Sequence, residues 1–354
     1  MKKIMVILCA TALLGLGACN KDKDKKGNGG NQSQAEQSEG LYNPSAKIDR
    51  VHYSNSTSDE VWQWQGDRVV SITTETADGG EETSIILDYN DEGRIQSVFT
   101  GMMGAQVEVD FNYNAQKLIT GATVGTMGYE MANATVSHNT QKKVDHISLD
   151  IDDAMLNELI QLLSMFIGDS NNILPFATVA PDSKFSIDDK AFDAYFAWSG
   201  NNVSRMIINA RINLTTTLNE LPTELLATLV PEEYASMIDL ALELAGDQPL
   251  PIQLTVIDTV DYTYDSHKNP LQGFLGRMSI AALSANNIVS VASHGNANIE
   301  ASLSMGMLGS LPLSYDYPLD EMGSASYSYT YTSAGYPHVV TDHEGNTTEY
   351  TYKQ

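Results

Sequence analysis

Cysteine is nearly absent from this chain, and its two cysteines lie within the first nineteen residues. Cys9 and Cys19 are the only ones among 354 residues. The sequence after residue 19 therefore lacks the thiols needed for a disulfide, a thiolate metal site or a cysteine nucleophile. The fold must depend on its hydrophobic core, and 42% hydrophobic residues over this length are enough to build one.

Basic residues are also scarce, since 20 lysines and arginines stand against 45 acidic residues and leave a formal net charge of −25. Residues 1–40 contain six lysines and four acidic residues, so residues 41–354 carry −27. A domain this acidic repels the phosphates of nucleic acids and anionic lipid headgroups. We therefore expect no nucleic-acid partner. Solubility explains the acidity, and weak divalent-cation binding is the functional alternative.

Familiar catalytic motifs are missing too. The sequence has no Gly-x-Ser-x-Gly elbow, no His-Glu-x-x-His pair and no Gly-Lys-Ser/Thr phosphate loop. Its seven histidines are not spaced as metal ligands. The segment 88–93 begins like a calcium loop, but Phe99 stands where a bidentate acid is required, so we predict a hairpin turn. We expect no metal and no cofactor, and we favour a non-enzymatic protein over an enzyme.

The first nineteen residues have the order of a secretory signal peptide. Lys2 and Lys3 precede an apolar run that ends in Leu16-Gly17-Ala18-Cys19. The run is shorter than the roughly 20 residues that span a bilayer. The last four residues resemble the lipobox of bacterial lipoproteins. We therefore predict that residues 1–18 are removed and that Cys19 is lipidated, so that the membrane is a partner through this anchor.

Residues 19–40 are predicted to be a flexible tether. After the cysteine they consist of glycine, asparagine, glutamine, serine, alanine and charged residues, and they contain no aromatic or β-branched side chain that a core could bury. Lysine and aspartate alternate from Lys21 to Asp24, whereas an acidic run is associated with export to the cell surface in Bacteroides-type bacteria. Periplasm-facing and surface-exposed positions at the outer membrane therefore both remain open.

A degenerate repeat runs through residues 41–354. An aromatic residue is followed by a polar turn, then an aliphatic residue, and usually another aliphatic three positions later. The best copy runs from Tyr89 through the turn to Ile95 and Val98. The first aromatic positions are 22 to 25 residues apart, at Tyr42, Trp64, Tyr89, Tyr113 and, with histidine in the aromatic position, His138. This spacing fits one β-hairpin and one connecting turn per repeat.

The pattern Tyr-x-Tyr-Asp-x-x-Gly/Asn followed by an aliphatic residue resembles YD repeats of the RHS type. Similar repeats occur in uncharacterised outer-membrane lipoproteins of Bacteroides-type bacteria that contain a domain of unknown function. The resemblance covers most of residues 42–354. It implies an all-β fold at the cell envelope with no established catalytic residues. A closed RHS shell needs many more copies and is not expected here.

Together these patterns predict a mainly β fold in a single domain, residues 41–354. We expect an antiparallel meander that forms a curled sheet or partial barrel, with a β-sandwich as the alternative. Two helical insertions are predicted, near residues 150–168 and 220–246. The acidic residues Asp150, Asp152 and Asp153 are interpreted as capping the first, although a catalytic carboxylate pair was the alternative. Pro231 and Gly246 suit the start and the end of a helix in the second.

The three tryptophans are the candidate ligand-binding residues. Trp62, Trp64 and Trp198 lie in or beside repeat positions, where they fit either a core layer or a platform that stacks on sugars. We predict a cell-envelope lipoprotein that binds or assembles with a glycan, a lipid or a protein. A polysaccharide hydrolase with unrecognised carboxylates and a carrier of amphiphiles are the alternatives.

Cys19→Ala tests the anchor. We expect the variant to lose its attached acyl chains and to appear in the soluble fraction, because a cysteine thiol is the only acceptor for the diacylglyceryl group. Metabolic labelling with a radioactive fatty acid, followed by membrane fractionation, provides the measurement. Cys9→Ala is the matched control and should be labelled like the wild type. Membrane retention of an unlabelled Cys19→Ala chain would contradict a lipid anchor.

Overall fold

A computed structural model provides the architecture. It describes residues 40–76, 78–102, 105–126, 128–154, 156, 186–221, 230, 236–277, 279–305, 309–319 and 324–353. The predicted signal peptide, Cys19 and all of the tether except residue 40 lie outside these residues. So does most of the first predicted helical insertion.

Eighteen strands occur among the described residues, and all belong to one sheet. The strands are β1 (Ile48–Tyr53), β2 (Ser58–Gln65), β3 (Arg68–Thr76), β4 (Glu81–Tyr89), β5 (Ile95–Met102), β6 (Ala105–Tyr113), β7 (Ile119–Thr126), β8 (Tyr129–His138), β9 (Val144–Ile151), β10 (Ser186–Ser199), β11 (Asn202–Thr217), β12 (Pro249–Lys268), β13 (Asn286–Ser304), β14 (Ser310–Pro318), β15 (Ala325–Ser326), β16 (Ser328–Tyr331), β17 (Pro337–Thr341) and β18 (Thr347–Tyr352).

Neighbouring strands are antiparallel, and strands that follow one another in the chain pair from β1 to β14. The sheet is curled, so that its first strand, β1, meets the last strand, β18, and pairs with it as well as with β2. Only two residue pairs join β13 to β15, and no ladder joins β15 to β16 in the described part of the chain. The predicted antiparallel meander with a curled sheet is confirmed, and the sheet is not closed into a barrel.

The hairpins match the predicted repeats. The segment between Tyr89 and Tyr113 contains β5 and β6, and the segment between Tyr113 and His138 contains β7 and β8. The two repeats that contain the predicted helical insertions are longer, but each still forms one hairpin, since β9 pairs with β10 and β11 pairs with β12. Their additional residues are inserted at the hairpin tips, at the opposite end of the sheet from the repeat turns.

Two α-helices lie wholly within the described residues, and residues 153, 154 and 156 of the first predicted insertion are helical as well. Helix α1 (Ile238–Ala245) belongs to the second predicted insertion and ends at Gly246 as predicted. A Cβ at Gly246 would lie only 2.4 Å from the carbonyl oxygen of Leu242, which explains the glycine. Helix α2 (Ile280–Leu283) is short and was not predicted. The predicted helix start at Pro231 lies outside the described residues. No helix in the described ranges has the length and apolar character needed to cross a membrane.

The core lies on the inner face of the curled sheet. Its largest cluster draws alternate residues from β1 to β11, including the fully buried Ile72 and Ile95. Phe274, from the segment between β12 and β13, enters this cluster, with its ring centroid 4.7 Å from that of Trp62 and 4.9 Å from that of Tyr42. A second cluster fills the space between α1 and the far ends of β11 to β14.

The repeat turns share one hydrogen-bond pattern. The side-chain oxygen of Asn90 accepts bonds from the backbone N–H groups of Glu92 and Arg94, and the N–H of Gly93 donates to the carbonyl of Asn90. Gly93 has φ +78°, a left-handed conformation that favours glycine. Asn114 and Asn139 accept the equivalent bonds in their turns. The segment that resembled a calcium loop is thus a hairpin turn, as predicted.

At several places in the sheet an aromatic side chain on one strand donates a hydrogen bond to the start of an earlier strand. The phenol of Tyr89, at the end of β4, donates to the carbonyl oxygen of Val69, near the start of β3, which is the other strand of the same hairpin. We call this contact an aromatic clasp. Seven such clasps, with donor–acceptor distances of 2.6–2.7 Å, are Trp64 to Ile48, Tyr89 to Val69, Tyr113 to Ile95, Trp198 to Val144, Tyr264 to Val203, Tyr329 to Ile288 and Tyr352 to Pro337.

A basic side chain covers the ring in four of these clasps, and it always comes from the residue just before the acceptor. Lys47, Arg68, Arg94 and Lys143 lie 5.1–5.9 Å from the ring centroids of Trp64, Tyr89, Tyr113 and Trp198, respectively. Burial raises the pKa of the Tyr89 and Tyr264 phenols to about 12. These phenols therefore remain protonated donors at neutral pH.

Removing one clasp donor tests its contribution. We expect Tyr89→Phe to lower the free energy of unfolding by about 1 kcal/mol, because the Val69 carbonyl loses its side-chain donor while the ring still packs. Urea unfolding gives the value. Tyr315→Phe serves as the control, since the Tyr315 hydroxyl has no hydrogen-bond partner among the described residues. Equal losses for the two variants would contradict a stabilising clasp.

Candidate functional site

The structure places Trp62 in the core. Only 1% of the residue is exposed, and its ring packs in one cluster with the rings of Tyr42 and Phe274. The guanidinium of Arg277 lies 5.8 Å from the ring centroid. A sugar has no route to either face of this ring in the present packing. A ligand-binding role for Trp62 remains a prediction, and the contacts favour the core-layer alternative.

Trp64 and Trp198 are half-buried clasp residues. Each indole N–H donates to a backbone carbonyl, and each ring is covered by a lysine. Trp64 packs near Tyr42, with ring centroids 5.9 Å apart, whereas Trp198 packs against a separate cluster of the core. The three tryptophans are therefore not brought together into one platform.

The acidic residues before the first insertion have structural partners. The Asp152 side chain accepts a hydrogen bond from the N–H of Ala154, which is the expected capping contact. Asp153 forms an ion pair with Lys190. No group of three or more histidine, cysteine or acidic side chains that could hold a metal occurs among the described residues. Lipidation of Cys19 stays a prediction, because the residue lies outside the described ranges.

The outer face of the long strands β10 to β13 offers a different candidate. Successive strands are in direct register here, so their outward side chains form two rows across the sheet. One row contains Tyr195, Ile207, Thr259 and His294, and the other contains Asp193, Asn209, Ile257 and Asn296. We call these eight residues, with the adjoining His146 of β9, the outer platform.

Three apolar side chains lie diagonally across this platform. Tyr195 is 44% exposed, Ile207 36% and Ile257 49%. Exposed apolar residues that occur singly need no explanation, but neighbours on adjacent strands form a contiguous patch. The patch is rigidly supported, since β11 pairs with β12 from Arg205 opposite Asp261 through to Thr217 opposite Pro249.

The orientation of Tyr195 is fixed by a partner on β9. His146 stacks on its ring, with centroids 4.5 Å apart and planes inclined by 13°. Nε2 of His146 lies 2.7 Å from a carboxylate oxygen of Asp193, so the imidazole is itself held in place. The tyrosine is therefore positioned in advance of any ligand.

Two polar platform side chains have unused hydrogen-bonding capacity. Asn209 lies directly opposite Ile257, and Thr259 lies directly opposite Ile207. Neither side chain has a hydrogen-bond partner among the described residues. An amide and a hydroxyl beside an apolar patch can bind the polar groups of a ligand whose other parts contact Ile207 and Ile257.

The sequence contained a signal for the outer platform that our predictions missed. In a strand with one buried face, adjacent apolar residues place one of the pair on the outer face. Tyr195 next to Phe196, Ile207 next to Ile208 and Val256 next to Ile257 are such pairs. Each pair lies in a strand with more than ten residues. In a strand of this length the alternation of apolar and polar residues is regular enough for an extra apolar residue on the outer face to be recognised.

Acrylamide quenching tests the burial of Trp62. In a chain with Trp64→Phe and Trp198→Phe, the remaining indole should emit at short wavelength and be quenched several-fold less than N-acetyltryptophanamide. The reason is that neighbouring rings cover it. A chain that keeps only Trp198 is the comparison and should be quenched more readily. Free access of acrylamide to Trp62 would restore it as a candidate ligand contact.

Comparisons with known proteins yield no family. No protein-family model matches the chain, and no curated protein matches it. A porin-like protein from Bacteroides uniformis is similar over 89% of this chain and 100% of its own, with 13% identity and a TM-score of 0.29. The TcdB2-TccC3-TEV structure is similar over 86% of this chain but 15% of its own, with 11% identity and a TM-score of 0.23. At these TM-scores neither likeness carries an argument about function.

Proposed function

We propose that the protein is a lipid-anchored, non-enzymatic binding module of the bacterial cell envelope, held at the outer membrane through Cys19. The observation that carries the binding role is the outer platform. It combines an exposed apolar centre, a tyrosine positioned by His146 and two polar side chains that have no hydrogen-bond partner in the described part of the chain. Such a surface supplies contacts for a ligand.

The anchor is supported by the lipobox-like sequence Leu16-Gly17-Ala18-Cys19 and by the polar residues after it. The sequence predicts a tether of about twenty residues, and a flexible chain of that length has a root-mean-square end-to-end distance of roughly 25 Å. The net charge of −27 on residues 41–354 keeps the domain from lying on anionic headgroups. The platform is therefore free to meet a ligand in the surrounding envelope.

Co-sedimentation with purified envelope material tests the binding role. The full-length lipidated chain, solubilised in detergent, is mixed with isolated cell-wall and outer-membrane fragments of the native host. We expect saturable retention of the wild type and clearly reduced retention of Ile257→Asp, because a charge at the centre of the apolar patch must be desolvated on binding. Ile86→Asp is the matched control, as Ile86 is 40% exposed on β4, outside the platform.

Two results would contradict the proposal. The first is equal retention of Ile257→Asp and Ile86→Asp, which would remove the platform as the binding surface. The second is release of soluble sugar fragments over many turnovers that stops when one aspartate or glutamate is replaced. That outcome would identify a hydrolase instead.

A further inference from the structure

The outer platform has the dimensions of a short segment of polysaccharide. Four strands about 4.8 Å apart and residues about 7 Å apart along each strand give a surface of roughly 14 Å by 7 Å. Two or three sugar rings cover such an area. The surface lies on the face of a sheet with long ladders on both sides of β12, so it needs little rearrangement before binding.

The platform itself carries little charge. Asp193 is the one acidic residue among its members, and it lies in hydrogen-bond contact with His146. Four of the charged side chains that border the platform form two ion pairs, whereas Asp316 accepts hydrogen bonds from Asn296 of the platform and from Asn298. Arg205 forms a two-bond contact with Asp261, at 2.7 and 2.9 Å, and Arg211 lies 2.8 Å from Asp189. In the described strands around the platform, no unpaired lysine or arginine is available to an anionic ligand, and the acidic domain repels such a ligand.

The arrangement of polar and apolar groups suits a sugar better than a lipid or a protein. An acyl chain needs a concave apolar site, and the platform lies on the outward face of the sheet. A stable protein interface buries about 800 Å² on each partner, with 20 to 30 residues a side, and the platform has nine. A pyranose ring has C–H groups on its faces and hydroxyls at its rim. The C–H groups can pack against Tyr195, Ile207 and Ile257, and the hydroxyls can form hydrogen bonds with Asn209 and Thr259.

We propose that the outer platform binds a neutral polysaccharide, through contact of sugar rings with Tyr195, Ile207 and Ile257 and hydrogen bonds to Asn209 and Thr259. This inference rests on the proposed function and names its ligand class. The contact is shallow and open at both ends, so it takes an internal segment of a chain. Its dissociation constant for a single segment should lie at about 0.1–1 mM.

Affinity electrophoresis and calorimetry with five neutral polymers provide the test: mannan, xylan, dextran, a β-1,3-glucan and hydroxyethylcellulose. The anionic polymer polygalacturonate is included for comparison. We expect the full-length lipidated chain in detergent to bind at least one neutral polymer. Tyr195→Ala and Ile257→Asp should weaken this binding at least about tenfold, and Asn209→Ala should weaken it by a smaller factor.

Tyr129→Ala and Ile86→Asp are the matched controls, since both residues are exposed outside the platform. They should bind like the wild type. Circular dichroism and urea unfolding of every variant separate a lost contact from a lost fold. The conservative variant Tyr195→Phe should retain most of the binding, because the ring and not the hydroxyl makes the proposed contact.

Three outcomes would overturn the inference. They are binding to none of the five neutral polymers, binding that Ile257→Asp leaves unchanged, and equal or tighter binding of polygalacturonate. If envelope fragments still retain the wild type more strongly than Ile257→Asp while no neutral polymer binds, the ligand is of another class. The proposed binding role then stands and the glycan assignment fails.

Discussion

The aromatic clasp is the interaction on which the rest of this sheet depends. A single β-hairpin is marginal in water, and its ladder does not by itself prevent a slip in register. The bond from Tyr89 to the carbonyl of Val69 joins the end of β4 to the start of β3 and so holds the two strands of one hairpin together at its open end. Repeated along the sheet, such bonds oppose a slip in register and pack a large ring at the open end of the hairpin.

The clasp explains why much of the fold was predictable. In the repeat, the aromatic residue is the one whose ring donates the clasp hydrogen bond. The aliphatic residue after the turn lies at the start of a strand, where its carbonyl can accept such a bond. Tyr89, Tyr113 and Trp198 were all predicted as repeat positions and are all donors. In β16 Tyr329 makes the clasp, whereas Tyr331, two positions later in the same strand, donates to Asp265 instead. Alternating tyrosines in one strand satisfy the pattern twice, and only the three-dimensional pairing selects between them.

The candidate site was less predictable than the fold. The tryptophans were the predicted ligand-binding residues because large rings suit sugars, yet Trp62 lies in the core and the Trp64 and Trp198 side chains form clasps. The outer platform depends instead on which residues of four strands become neighbours. Ile207 and Ile257 are 50 positions apart, and their proximity follows from the register of β11 against β12, which a single sequence does not specify.

The pairing of β1 with β18 has a consequence for the order in which the molecule can be made. Ile48 lies opposite Tyr352, so the first strand finds one of its two neighbours about 300 residues later in the chain. Because the chain is synthesised from its amino end, that edge of β1 stays unpaired until the last strand has been made. Local hairpins can form early, whereas this contact of very high sequence separation must form late. Until then, the open edge of β1 can pair with the wrong strand.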